Sequence, residues 1–196
     1  MFIKDWTGNK KSTFTMLGAS NHAIEEREIN DFYTTDPEAI NKLFKVEEFD
    51  NNIWECACGD GELSKRMIEL GKNVISTDLI DRGYGLGEQD FLKATEKFDG
   101  DIITNPPYKY ITEFILKAIE LSKNKVAMFC KLTTLESQNR FNRIYKEHPP
   151  KVVYVFSKRI SCYKNNDKDK YKSSAVCYAW FIWEKGFNGE PTIRWI

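Results

Sequence analysis

The sequence predicts an α/β domain, a mostly parallel sheet with helices on both faces and an antiparallel last strand. Three observations predict it. Apolar runs short enough for strands alternate with helical patterns along most of the chain. The last run, 175–183, follows the one before it without room for another crossover helix. Finally, 196 residues of which 41% are apolar suffice for one core rather than two.

Residues 1–30 carry no sustained period and read as an N-terminal arm, leaving 31–196 as a single domain. Asp36 and Pro37 are cap and first-turn signals, and Ile40, Leu43, Phe44 and Val46 follow at helical spacing, predicting a helix to about residue 48. A buried strand over 53–58 then ends in Gly59-Asp60-Gly61. Leu63, Met67, Ile68 and Leu70 mark the next helix, which Gly71 stops before a strand over 74–78. Beyond this βαβ unit the pattern predicts a strand over 101–104, a helix over 111–121, a strand over 125–130, a helix over 135–145 and a strand over 152–156. Trp180, Trp183 and Trp195 alternate within apolar strands and read as core.

Function classes fall away on composition. The longest apolar run is nine residues, whereas a spanning helix needs about 20. The N-terminus lacks the pattern of a secretory signal, so an intracellular, cytoplasmic protein is expected. The cysteines, Cys56, Cys58, Cys130, Cys162 and Cys177, are odd in number and scattered, which suits a reducing compartment. Cys56 and Cys58 have only His22 and His148 elsewhere to complete a zinc cage, so no metal is expected. The 29 basic and 29 acidic residues cancel, yet 131–172 holds eleven Lys or Arg against four Asp or Glu. Such a stretch is a candidate polyanion surface.

In open parallel sheets ligands bind beyond the carboxyl ends of the strands, and glycines in the first strand-to-helix turn admit close approach. Glu55-x-x-x-Gly59-Asp60-Gly61 occupies that turn. The third glycine of a dinucleotide fingerprint is missing, Ser64 standing in its place, and no cation stands by to meet a pyrophosphate. Glu55 and Asp60 make the turn acidic, which suits a cofactor with a cationic reactive end, such as S-adenosylmethionine. Asp78, 17 residues past Gly61, lies about where a carboxylate grips ribose hydroxyls.

On the same rim, the strand 101–104 leads into Asn105-Pro106-Pro107-Tyr108. Two prolines fix φ twice and remove two N–H donors, giving a stiff extended piece with bare carbonyls. The Asn105 side-chain oxygen and the Pro106 carbonyl are placed to accept both hydrogens of a planar amino group. Its nitrogen lone pair is then held back from delocalisation, and the stiffness supplies orientation in advance. Tyr108 offers a flat face for a base.

These motifs resemble those of the S-adenosylmethionine-dependent adenine-N6 DNA methyltransferases, in particular the small phage and prophage type. Asn105 to Tyr108 matches their Asp/Asn/Ser-Pro-Pro-aromatic catalytic motif, and Gly59-Asp60-Gly61 with Glu55 resembles their cofactor motif. Asp31-Phe32-Tyr33-Thr34-Thr35-Asp36-Pro37 looks like the motif that closes over the methionine part, although Asp36 separates Thr35 from a proline that many members place directly after the threonine. The resemblance covers about residues 13–196. It implies a Rossmann-like methyltransferase fold with a seven-stranded sheet, and a cytoplasmic setting in a bacterial or phage-infected cell. It assigns Asn105, Pro106, Pro107 and Tyr108 to catalysis, and Tyr33, Thr34, Thr35, Glu55, Gly59, Gly61, Asp78, Asp90, Phe91 and Asn105 to the cofactor. No separate target-recognition domain is expected, so either the enzyme is nearly indiscriminate, a low-specificity methyltransferase, or the arm 1–30 and the basic loop 157–174 do the reading.

The expected partner is DNA, with its adenine flipped from the stack or already unpaired. Lys158 and Arg159 supply phosphate contacts in this reading, and Tyr163 and Tyr171 stack on the flipped base. RNA adenine, a protein glutamine amide, which is also held by an Asn-Pro-Pro-Tyr motif in its own methylases, and a non-catalytic binding module of the same fold are the alternatives.

Overall fold

The computed structural model of the chain describes residues 34–160, 162, 163 and 176–196, with Tyr163 by its backbone alone. The arm expected over 1–30 lies outside the described residues, as do Tyr33 and Tyr171. Seven strands form one sheet in the order β3-β2-β4-β5-β8-β6-β9: β2 (Asn52–Glu55), β3 (Asn73–Ser76), β4 (Asp101–Thr104), β5 (Lys125–Lys131), β6 (Val152–Val155), β8 (Tyr178–Glu184) and β9 (Thr192–Trp195). A separate two-stranded ribbon pairs β1 (Thr34–Thr35) with β7 (Cys162–Tyr163).

Within the sheet β8 alone runs antiparallel to its neighbours, pairing β5 on one side and β6 on the other. This is the antiparallel strand expected over 175–183. A further strand, β9, follows it, pairs parallel with β6 and forms the edge. Trp195 lies on that edge with 71% of its surface exposed, which corrects its placement in the core. Trp180 and Trp183 are buried, their indole N–H groups donating to Ala39 O at 2.9 Å and His148 O at 3.0 Å.

Period-two alternation in the central strands feeds two cores. Ile103, Ala127, Phe129, Trp180 and Ile182 face the layer that includes α1 (Glu38–Phe44) and α2 (Glu62–Glu69). Ile102, Val126, Met128, Phe181 and Trp183 face α3 (Ile111–Leu121) and Ile144. At the amino ends of the strands buried Asp101 holds the chain together, accepting from Asp50 N and Lys125 N at 2.7 Å each.

The helix expected over 135–145 is broken into a 3₁₀ turn (Leu132–Leu135), one turn of α4 (Gln138–Arg140) and a π turn (Phe141–Tyr145). Its carbonyls are taken by a side chain. Arg140 donates to Thr133 O, Thr134 O and Glu136 O, while the Ser137 hydroxyl caps the restart by accepting from Arg140 N. Among the described residues no helix is long and apolar enough to cross a membrane.

The two tryptophans at opposite burial extremes give a stability test. Trp180→Ala lowers unfolding stability by about 3–5 kcal/mol in urea denaturation, and Trp195→Ala shifts it by no more than about 0.5 kcal/mol.

Candidate active site

The strand order reverses direction around β2, whose neighbours are β3 and β4, and a crevice opens beyond their carboxyl ends. It is a cavity of about 910 Å³ whose walls include Thr34, Thr35, Gly59, Asp78, Asn105 and Tyr108. The two motifs read from the sequence thus share one cavity.

The glycine turn is built as a tight turn: Gly61 N donates to Cys58 O at 2.8 Å, and Gly59 and Gly61 take φ of 59° and 81°. At Gly61 the absent side chain serves a tyrosine, because a Cβ there would lie 2.1 Å from the Tyr84 ring. Asp78 closes the turn, its carboxylate accepting from Gly59 N at 2.8 Å and from Ile80 N at 2.9 Å. These bonds set the carboxylate in the cavity wall and leave it lone pairs for a ligand. Asp60 accepts from the Thr34 hydroxyl at 2.7 Å.

Glu55 sits differently from the acidic wall expected of it. It is 1% exposed, its carboxylate takes the hydroxyl hydrogen of Ser64, and burial pushes its pKa up to about 8. Glu55 still borders the cavity, together with Asp60 and Asp78. Asp90 and Phe91 both border the cavity. Asp90 caps a 3₁₀ turn by accepting from Leu92 N at 3.1 Å, and Phe91 is mostly core, edge-on to Trp54 with ring centroids 5.1 Å apart.

On the opposite wall the chain leaves β4 at Asn105. Pro107 O accepts from Tyr110 N at 3.0 Å, whereas Pro106 O has no hydrogen-bond partner among the described residues. Asn105 is held at both ends of its amide, Nδ2 donating to Thr35 Oγ1 at 2.8 Å and Oδ1 accepting from Tyr108 OH at 3.0 Å. The Tyr108 ring stacks near Tyr178 and carries Lys131 Nζ 4.5 Å from its centroid. Burial drives the Tyr108 phenol well above its ordinary range, so it is a neutral donor.

Lys131 is a cavity residue that the sequence reading counted only as part of a basic stretch. The available signal was its place, a lysine closing an apolar strand on the rim that carries both motifs. Lys158 and Arg159 are exposed and lie outside the cavity wall. Tyr163 is placed only by its backbone, which pairs with Thr34. Burial pushes the thiols of Cys58 and Cys162 up to about 12, so neither provides a thiolate nucleophile. Among the described residues no group of three His, Cys, Asp or Glu stands ready to hold a metal ion.

The family described as DNA N-6-adenine-methyltransferase (Dam) matches residues 76–193, more than half of the chain. The chain belongs to this family. The match runs from the end of β3 into β9 and includes the Asn105 tetrapeptide, while β1 and the glycine turn precede it. This Dam-family chain shares its fold with a protein described as a modification subunit of a type I restriction enzyme from Vibrio vulnificus YJ016, at 12% identity and a TM-score of 0.60, over 95% of this chain and 50% of that one. A protein described as a hemolysin from Lactococcus lactis matches at 12% identity and a TM-score of 0.54, over 81% and 89% of the two chains. A predicted O-methyltransferase from Agrobacterium tumefaciens matches at 10% and 0.53, over 76% and 81%. No curated protein matches the sequence. The chain is thus a methyltransferase of Rossmann-like fold, and the family's methyl donor is S-adenosylmethionine.

The protonated state of Glu55 gives a pH test. Its folded-state pKa is raised, so the stability it contributes is full below the ordinary carboxylate range and is lost as pH rises through about 8. Between about pH 5 and about pH 9 the urea midpoint of the wild type therefore falls more than that of Glu55→Gln.

Proposed function

We propose that the chain transfers a methyl group from S-adenosylmethionine to the N6 amino group of adenine in DNA, by direct displacement without a covalent enzyme intermediate. The observation that carries this reading is the Asn105 amide oxygen on one wall of the cavity, pinned by Tyr108; the next residue along, Pro106, has a carbonyl with no partner among the described residues.

An exocyclic NH₂ has two hydrogens to give, and two acceptors at a stiff corner take both. The nitrogen lone pair is then directed out of the ring's π-system, where it is nucleophilic. Asn105 Oδ1 keeps a second lone pair for this bond while Tyr108 occupies the first. Bound S-adenosylmethionine supplies an electrophilic carbon on a sulfonium. Asp78 is the candidate for its ribose hydroxyls, and the carboxylates of Asp60 and Asp78 favour a cation in the adjoining space. The cavity, at about 910 Å³, has room for such a cofactor and a base together.

A stacked base cannot reach this corner, so the adenine enters flipped or unpaired. Lys158 and Arg159 are exposed just after β6, and the ribbon strand β7 follows them, so the phosphate path is assigned to that side. Binding there weakens steeply with salt.

Purified protein with tritiated S-adenosylmethionine labels adenine in DNA under this reading. Asn105→Ala lowers labelling at least about 100-fold. In the same variant S-adenosylhomocysteine at 100 times its Kd still adds about 2.7 kcal/mol of thermal stability. Label found only in cytosine, or only in protein, overturns the proposal.

A further inference from the structure

We propose that Thr35 is a positioning residue for Asn105: its hydroxyl oxygen selects which end of the carboxamide faces the target amine. This rests on the reading of Asn105 as the acceptor of that amine.

A carboxamide is nearly symmetric in shape and opposite in chemistry at its two ends. Turned by half a rotation, Asn105 would present an NH₂ to an NH₂, donor against donor, and the catalytic corner would repel the group it has to hold. Tyr108 cannot make the choice, because a phenol hydroxyl donates or accepts equally well. Thr35 can. Its Oγ1 accepts from Asn105 Nδ2 at 2.8 Å. A hydroxyl whose hydrogen points away from the amide, toward the Cys162 thiol that Tyr178 and Tyr108 also reach, offers lone pairs on that side and welcomes only the NH₂ end of Asn105.

The hydroxyl is held where this works. Thr35 is 3% exposed and pairs with Cys162 in the ribbon of β1 and β7. Successive strand residues point to opposite sides, and the neighbouring Thr34 uses this to donate to Asp60 at 2.7 Å. One two-residue strand therefore ties the glycine turn with one hydroxyl and the catalytic amide with the other.

The test uses the full chain with Thr35→Val, which keeps the shape and removes the oxygen, Thr35→Ser, which restores it, and both in an Asn105→Asp background. A carboxylate has equivalent oxygens and no wrong way round. In the wild-type background Thr35→Val lowers kcat for DNA methylation about 10- to 100-fold, and Thr35→Ser recovers it to within about threefold. In the Asn105→Asp background Thr35→Val changes kcat by no more than about twofold.

An equal loss in both backgrounds overturns the proposal, as does a weakened S-adenosylhomocysteine Kd with kcat intact. A readout independent of turnover is the side-chain amide signal of Asn105 in ¹H–¹⁵N spectra, assigned by its absence in Asn105→Asp. In wild type and Thr35→Ser one amide proton is protected from exchange, and in Thr35→Val it is not. An amide signal indifferent to Thr35→Val overturns the proposal even if the wild-type chain labels no DNA, whereas absent labelling alone sinks the adenine reading.

Discussion

Two successive residues without an N–H, set where a strand buried on both faces reaches the rim, determine where the chemistry of this chain sits. β4 is central and fully buried, and each of its residues up to Thr104 is packed in the sheet. Pairing cannot continue into Pro106 and Pro107, because neither has a hydrogen to donate to a ladder. The chain must leave the sheet, stiffly, and Asn105 and Pro107, on either side of Pro106, come to border the crevice.

The surroundings come from distant parts of the chain. Thr35 and Asn105 are separated by 70 positions and meet at one hydrogen bond, and Thr34 reaches Asp60 across 26. Such contacts order the amide and the glycine turn against the same short strand, so the acceptor wall and the Asp60–Asp78 wall are fixed relative to one another before any ligand arrives. Preorganisation of this kind is worth most when the acting group has to hold a particular direction.

Much of this was legible in the sequence, for a physical reason. Period-two runs and helical spacing report which faces are buried, and the carboxyl ends of the parallel strands read from them fell on one rim, bringing the Gly59–Gly61 turn and Asn105 together. The pattern says nothing about partners. Trp195 alternates like a core residue but lies on an edge strand that packs against no further layer. The helix over 135–145 has a sound apolar period, yet Arg140 takes the carbonyls that a regular helix would use. Glu55 reads as an anion in a turn, and only the burial of its side chain against Ser64 reveals a proton on it. Thr35 was assigned to the cofactor through a resembling motif; it does border the cavity, and its contact with the Asn105 amide, 70 positions away, is invisible in the sequence.

The cavity is bordered by charges of both signs: Asp60, Glu62, Asp78, Arg82 and Asp90, together with Lys109 and Lys131 near the tetrapeptide. Lys131 has no carboxylate within ion-pair distance among the described residues, its ammonium resting over the Tyr108 ring instead. Fixed charges of both signs around one cleft orient a ligand of mixed charge before any specific contact is made.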